Sequence, residues 1–146
     1  MKKNLFLILL VFVFSKSFSQ NKEIKKTISD FFVAFHAKDT VSLKAISHKW
    51  IVMQTIGKDK EGVAMVVIER YDDFIKSISA IPNEMKFEEK LLDFQIQSDG
   101  TLAHVWTPYE FYVNNKLSHK GVNSFTLVKE ADKWKIVHVI DTRHKG

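Results

Sequence analysis

The sequence predicts an α+β domain, with helices near the N-terminus packed on one face of a strongly curved antiparallel sheet. Three observations lead there. Apolar residues recur at three- and four-residue spacing over Asn21–Lys38 and again over residues 71–81, while from Met85 onward the period changes to two and stays there. The connections between the later runs are short, so consecutive runs fold back antiparallel. Those runs are about ten residues or longer, and strands of that length curl rather than lie flat.

The chain opens MKKNLFLILLVFVFSKSFSQ: two lysines, an apolar run from Leu5 to Phe14, then a polar stretch with small residues at Ser17 and Ser19. That is the layout of a bacterial secretory signal over residues 1–19, cleaved after Ser19, and it predicts a periplasmic or secreted protein. The apolar run falls well short of the roughly twenty residues that span a bilayer, so no membrane association is expected after cleavage. Residues 20–146 then form a single domain without cysteine, whose core must hold without disulfides. Loss of Lys2, Lys3 and Lys16 leaves 19 basic against 17 acidic residues, lowering the net charge from +5 to +2. The remaining lysines are interspersed with acids, as in KDK, EEK and KEADKWK, which describes a solvated surface and argues against a nucleic-acid partner.

From Asn21 to Lys38, Ile24, Ile28, Phe31, Phe32 and Phe35 share one helical stripe. Asp39 and Thr40 stop that helix and cap a short second one through Ser47, with Leu43 and Ile46 facing inward. Trp50–Ile56 and Val63–Ile68 are strand-like runs joined by the turn GKDKEG, and are expected to pair as a hairpin. Residues 71–81 place acids in a first turn and Phe74, Ile75 and Ile78 at helical spacing, with Pro82 ending the helix. Four strands follow: Met85–Gln97, Leu102–Val113, Leu117–Lys129 and Trp134–Thr142. Pro108 cannot donate to a ladder and marks a bulge, an edge or a bend.

Alternation puts Ala103, Val105, Thr107, Tyr109 and Phe111 on one face, and His119, Gly121, Asn123, Phe125 and Leu127 on the core face of the next strand. The last strand has two readings. With Lys129 opposite Lys133, Val137, Val139, Asp141 and Arg143 face the pocket; a slip of one residue brings Trp134, Ile136, His138, Ile140 and Thr142 inward instead. The first gives His119 and Arg143 a common partner in Asp141.

The run "FFVAFHAKDTVSLKAI", the run "VWTPYEFYVNNKLSHKGVNSF" and the closing "FTLVKEADKWKIVHV" together resemble the nuclear transport factor 2-like superfamily, and within it the exported SnoaL-like members. The resemblance covers the whole of residues 20–146. It implies a cone-shaped, cystatin-like α+β barrel with a central cavity and an open mouth, and a homodimer formed through the sheet face. It does not imply one activity, because the superfamily holds isomerases, dehydratases, cyclases and non-catalytic binding proteins. A ketosteroid isomerase-like mechanism needs a carboxylate base, and the first strand offers Gln54 and no acid.

The ligand-binding candidates are therefore Trp50, Gln54, Tyr109, His119, Asn123, Asp141 and Arg143. Aromatic rings can stack a flat molecule, Arg143 can hold a carboxylate, and His119 can exchange a proton near neutral pH. The expected function is binding of a small apolar or aromatic ligand, one version of it anionic. The enzymatic alternative makes His119 the acid or base, oriented by Asp141, with Tyr109 or Asn123 donating to an oxyanion. If Trp106 and Tyr112 point outward, an interaction module is a third reading. The six histidines are dispersed without ligand spacing, and there is no Gly-rich phosphate loop, so neither a metal nor a cofactor is expected.

Overall fold

The computed structural model describes residues 2–145, with side chains from Ser19 onward. Apart from Ser19, the side chains of the expected signal segment lie outside this range. Among the described residues no helix is long and apolar enough to cross a membrane.

Helix α1 (Lys2–His36) ends where Lys38 takes a left-handed φ of 57°. Asp39 N–H reaches back to Ala34 O and Lys38 N–H to Phe35 O, the paired bonds that satisfy a helix's last carbonyls. Asp39 then caps α2 (Thr40–Ile46), its carboxylate accepting from Val41 N–H and Ser42 N–H. Strands β1 (Ser47–Lys58) and β2 (Ala64–Glu69) form the expected hairpin, and α3 (Tyr71–Ser79) follows.

The expected strand Met85–Gln97 is in fact two, β3 (Phe87–Leu91) and β4 (Gln95–Ser98), both paired with β5 (Leu102–Val113). The break lies beside Pro108, which has no N–H to offer but whose carbonyl still accepts from Leu92 N–H at 2.9 Å. β6 (Lys116–Glu130) and β7 (Lys133–Thr142) complete the meander, and the two-residue β8 (His144–Lys145) pairs with β6. Two tight turns join the last three long strands. Asn114–Asn115 and Ala131–Asp132 all have positive φ, the geometry whose twist matches the flanking strands.

The sheet runs β2-β1-β7-β6-β5-β3, with β4 beside β5 and β8 beside β6. It is not wholly antiparallel, as expected from the meander: β1 and β7 pair in parallel, because the first hairpin joins the sheet at β7 after the chain has passed through all the other strands. Helices α1 and α3 cover the concave face. Ile24, Ile28, Phe31 and Phe32 of α1 and Phe74, Ile75 and Ile78 of α3 pack with Val105, Phe125, Leu127, Ile136 and Val139 of the sheet. Each such side chain contributes about 1.5–3 kcal/mol when fully buried, which is why a cysteine-free chain can hold this layer together.

The two readings of the last strand are each right for half of it. Leu127 faces Ile136 but Thr126 faces His138, so Val137 is an extra residue bulged out of the ladder. Before the bulge Trp134 and Ile136 point into the core; after it Val139 and Asp141 do. The expected register, with Lys129 opposite Lys133, would pair Phe125 with Val137 and Asn123 with Val139; instead Lys129 faces Trp134, Phe125 faces Val139 and Asn123 faces Asp141.

Candidate functional site

Between the helices and the concave face lies a recess of about 810 Å³. Its walls are mostly rings and alkyl chains: Phe31, Phe32 and Phe35 from α1, Phe74 and Ile78 from α3, and Met53, Phe87, Phe111, Phe125 and Val139 from the sheet. Into this apolar space the inward positions of five strands deliver polar groups: Thr55 from β1, Glu89 from β3, Tyr109 from β5, His119 and Asn123 from β6, and Asp141 from β7. Arg143 follows β7, and Glu69 closes β2.

Asp141 is the hub of one cluster. Its Oδ1 accepts from the Thr55 hydroxyl, and its Oδ2 lies 2.8 Å from Arg143 Nε and 3.3 Å from Tyr109 Oη. The Tyr109 hydroxyl also reaches the Thr142 carbonyl at 3.0 Å. That carbonyl enters the concave face because Gly121 has no side chain: a Cβ there would stand 1.8 Å from Thr142 O. Burial, and the carboxylates of Asp141 and Glu89, push the Tyr109 hydroxyl well above its ordinary pKa, so it remains a donor.

Glu89 belongs to a second cluster. Its Oε1 accepts from Asn123 Nδ2 at 2.6 Å, and its backbone N–H donates to His36 Nε2 at 2.8 Å, tying β3 to α1. Burial raises its carboxyl to about 7, with Asp141 pushing the same way, while the Asn123 bond and Arg143 oppose. Burial also raises the Glu69 carboxyl and lowers the His36 and His119 imidazoles. A carboxyl poised near neutrality in an apolar recess can hold a proton or a cation.

Of the residues expected to bind ligand, Tyr109, His119, Asn123, Asp141 and Arg143 all line the recess. Trp50 does not: it is 73% exposed, stacked edge-on against His48 and covered by Lys49. The irregular pairing between Ser47 and Val52 carries it away from the concave face. Gln54 borders the recess, but its side-chain oxygen lies 2.9 Å from His138 Nε2, on the outer face. The expected His119–Asp141 hydrogen bond is not formed. His119 Nδ1 lies 3.1 Å from Ser118 Oγ and its ring stacks on Phe111 at 4.8 Å, while Asp141 is occupied by Thr55, Tyr109 and Arg143.

Sequence reasoning missed Glu89. The signal was present in the alternation of FEEKL, where Phe87, Glu89 and Leu91 share a face, an acid between two apolar residues. Reading the segment as one long strand hid it. The absence of an acid from β1 therefore did not leave the recess without an interior carboxylate.

A helix-covered, strongly curved sheet with a recess on its concave side is the nuclear transport factor 2-like, or cystatin-like, α+β fold. Solved structures share it. A protein of unknown function from Mycobacterium tuberculosis superposes with a TM-score of 0.73 at 12% identity, over 89% of this chain and 75% of that one. An NTF2-like protein from Cytophaga hutchinsonii gives 0.68 at 15%, over 86% and 98%. A proposed dehydratase of the NTF2-like family from Streptomyces avermitilis gives 0.66 at 14%, over 88% and 98%. No family model matches the sequence, and no curated protein matches it.

Proposed function

We propose that this chain binds a small molecule with an apolar, ring-sized body and a polar head, held in the recess of the concave face. The observation that carries the reading is the convergence of Glu89, Asn123, Tyr109 and Asp141 on one wall of a space otherwise lined by phenylalanines. Apolar walls with a few fixed polar groups are what a small-molecule site requires. The Arg143 Nε is engaged by Asp141, which weakens the argument for an anionic head. Catalysis by a His119–Asp141 pair loses its geometric support, and the dehydratase description of one structural neighbour concerns that neighbour alone. The test is native mass spectrometry of the purified chain for co-purifying molecules, together with thermal shift against apolar and aromatic metabolites. A bound molecule displaced when Phe125 or Phe111 is enlarged to Trp supports the reading; an empty protein unmoved by the whole panel overturns it.

The outer face supports a second copy of the chain as partner. One row across the sheet is Ile68–Gln54–Ile140–Ser124–Trp106; beside it lie Val66–Ile56–Thr142 and Val122–Pro108, with Val122 N–H donating to the Thr142 hydroxyl. Ile68 is 70% exposed, Val66 52% and Trp106 43%, an apolar strip broader than scattered surface residues. Sedimentation of wild type beside Trp106→Glu tests it: a dimer that dissociates in the variant is the expected result. Export is supported by the N-terminal layout, and cell fractionation with N-terminal sequencing of the recovered chain tests it.

A further inference from the structure

The charged groups lining the recess do not balance. The acids are Glu69, Asp73, Glu89 and Asp141; the bases are Arg70 and Arg143. Arg143 pairs with Asp141 at 2.8 Å and Arg70 with Asp73 at 3.9 Å, and among the described residues Glu69 and Glu89 form no ion pair. Glu89 is the deeper of the two, and among the described residues its side chain accepts one hydrogen bond, from Asn123, at one oxygen. The other oxygen is left for a donor that the described residues do not supply.

The surroundings of Glu89 say which kind of donor. Glu89 lies directly opposite Phe111 in the β3–β5 ladder. Phe111 stacks on His119 at 4.8 Å and on Phe87 at 6.0 Å, and Phe87 meets Phe35 edge-on at 4.9 Å. A tier of aromatic faces beside a carboxylate attracts a cation twice, through the ring quadrupoles and through the charge. It gives an anion neither attraction. Glu69, exposed at the end of β2, adds a second negative charge to the lining.

Resting on the reading of the recess as a binding site, we infer that its ligand is an amine: an apolar or aromatic body whose ammonium is received by Glu89 between the rings of Phe87, Phe111 and His119. Asn123 holds the carboxylate in place from below. The other groups facing Glu89 are Tyr109, which stays a neutral donor, the Asp141–Arg143 pair, His36 on α1 at its backbone, and Glu69 across the recess. The cation among them, Arg143, is held through Nε by Asp141, and Lys38, whose Nζ lies 6.0 Å from the Phe87 ring, is held by the carbonyls of Ile81, Pro82 and Met85; among the described residues neither forms an ion pair with Glu89.

The experiment is calorimetric titration of the purified chain with phenylbutylamine, phenylbutanol and phenylbutyrate, which differ only in the head group, at about pH 6 and about pH 8. The amine is expected to bind most tightly and the carboxylate least. Because Glu89 ionises at about 7, amine binding should strengthen about tenfold between the two pH values, while alcohol binding stays level. Glu89→Gln should remove the preference of amine over alcohol and its pH dependence; Phe111→Leu, which leaves the charge in place, should weaken the amine more than the alcohol. Equal binding of amine and alcohol, or preference for the carboxylate, overturns this inference while leaving the recess a binding site. Failure of all three probes overturns this inference, and the reading of the recess falls with it where the purified chain also carries no co-purifying molecule and is unmoved by the wider panel.

Discussion

Asn123 donates its side-chain amide to Glu89 at 2.6 Å across an intervening strand. Asn123 lies on β6 and Glu89 on β3, with β5 between them. Strands two apart are about 10 Å from each other in a sheet, so the contact is made by side chains leaning over the concave face, and it holds the carboxylate above the phenylalanines.

Replacing Asn123 with Ala removes the hydrogen bond that favours the charged form of Glu89. The carboxyl should then titrate above its present value of about 7. Carbon-detected NMR of the glutamate side chains through a pH series measures it. A titration that does not move would show that the bond has no influence on the proton.

Glu89 should also make the fold less stable as pH rises. Its carboxyl titrates near 4.5 when exposed and at about 7 in the fold, so the folded state binds the proton more tightly. The resulting stability is fully present below about 4.5 and is lost as pH rises through about 7, with a span of up to about 3 kcal/mol. Denaturant unfolding at a series of pH values should show this decline in wild type and a flatter profile in Glu89→Gln. Equal slopes in the two proteins would contradict the burial of an ionisable carboxyl.

Gly121→Ala should be among the most damaging single-methyl additions to this chain. The new Cβ would fall 1.8 Å from the Thr142 carbonyl oxygen and 3.1 Å from the Tyr109 ring, and the first of these neighbours is backbone that cannot rotate away. A loss of about 2–4 kcal/mol in unfolding free energy is expected, with detachment of the chain after Asp141. Retained stability would mean that Thr142 does not enter the concave face.

Two substitutions separate packing from hydrogen bonding. Phe125 is fully buried against Phe31 and Phe32, and Phe125→Ala should destabilise by about 3–5 kcal/mol. Tyr109→Phe keeps the ring and removes a hydroxyl shared between Thr142 and Asp141, so about 1–2 kcal/mol is expected. Thermal and chemical unfolding of both variants measure the difference, and a reversed order would overturn the assignment of the core.

Much of this molecule follows from sequence alone, because local periodicity is set by which face of an element is dry. The stripe Ile24, Ile28, Phe31 and Phe32 and the alternation through Ala103, Val105, Thr107 and Tyr109 each name their buried face without knowledge of a partner. The turns at Asn114 and Asn115 declare themselves by residue type. What tertiary structure decided is everything that depends on one element meeting another. The bulge at Val137 switches the inward set of β7, and no composition rule announces it, since both sets of residues are apolar enough to be buried. The parallel pairing of β1 with β7 joins segments about ninety residues apart in the chain, a distance over which local pattern carries no information. Glu89 acquired its raised pKa, its Asn123 partner and its aromatic surroundings only when β3, β5 and β6 curled together, because burial and proximity are properties of the assembled sheet.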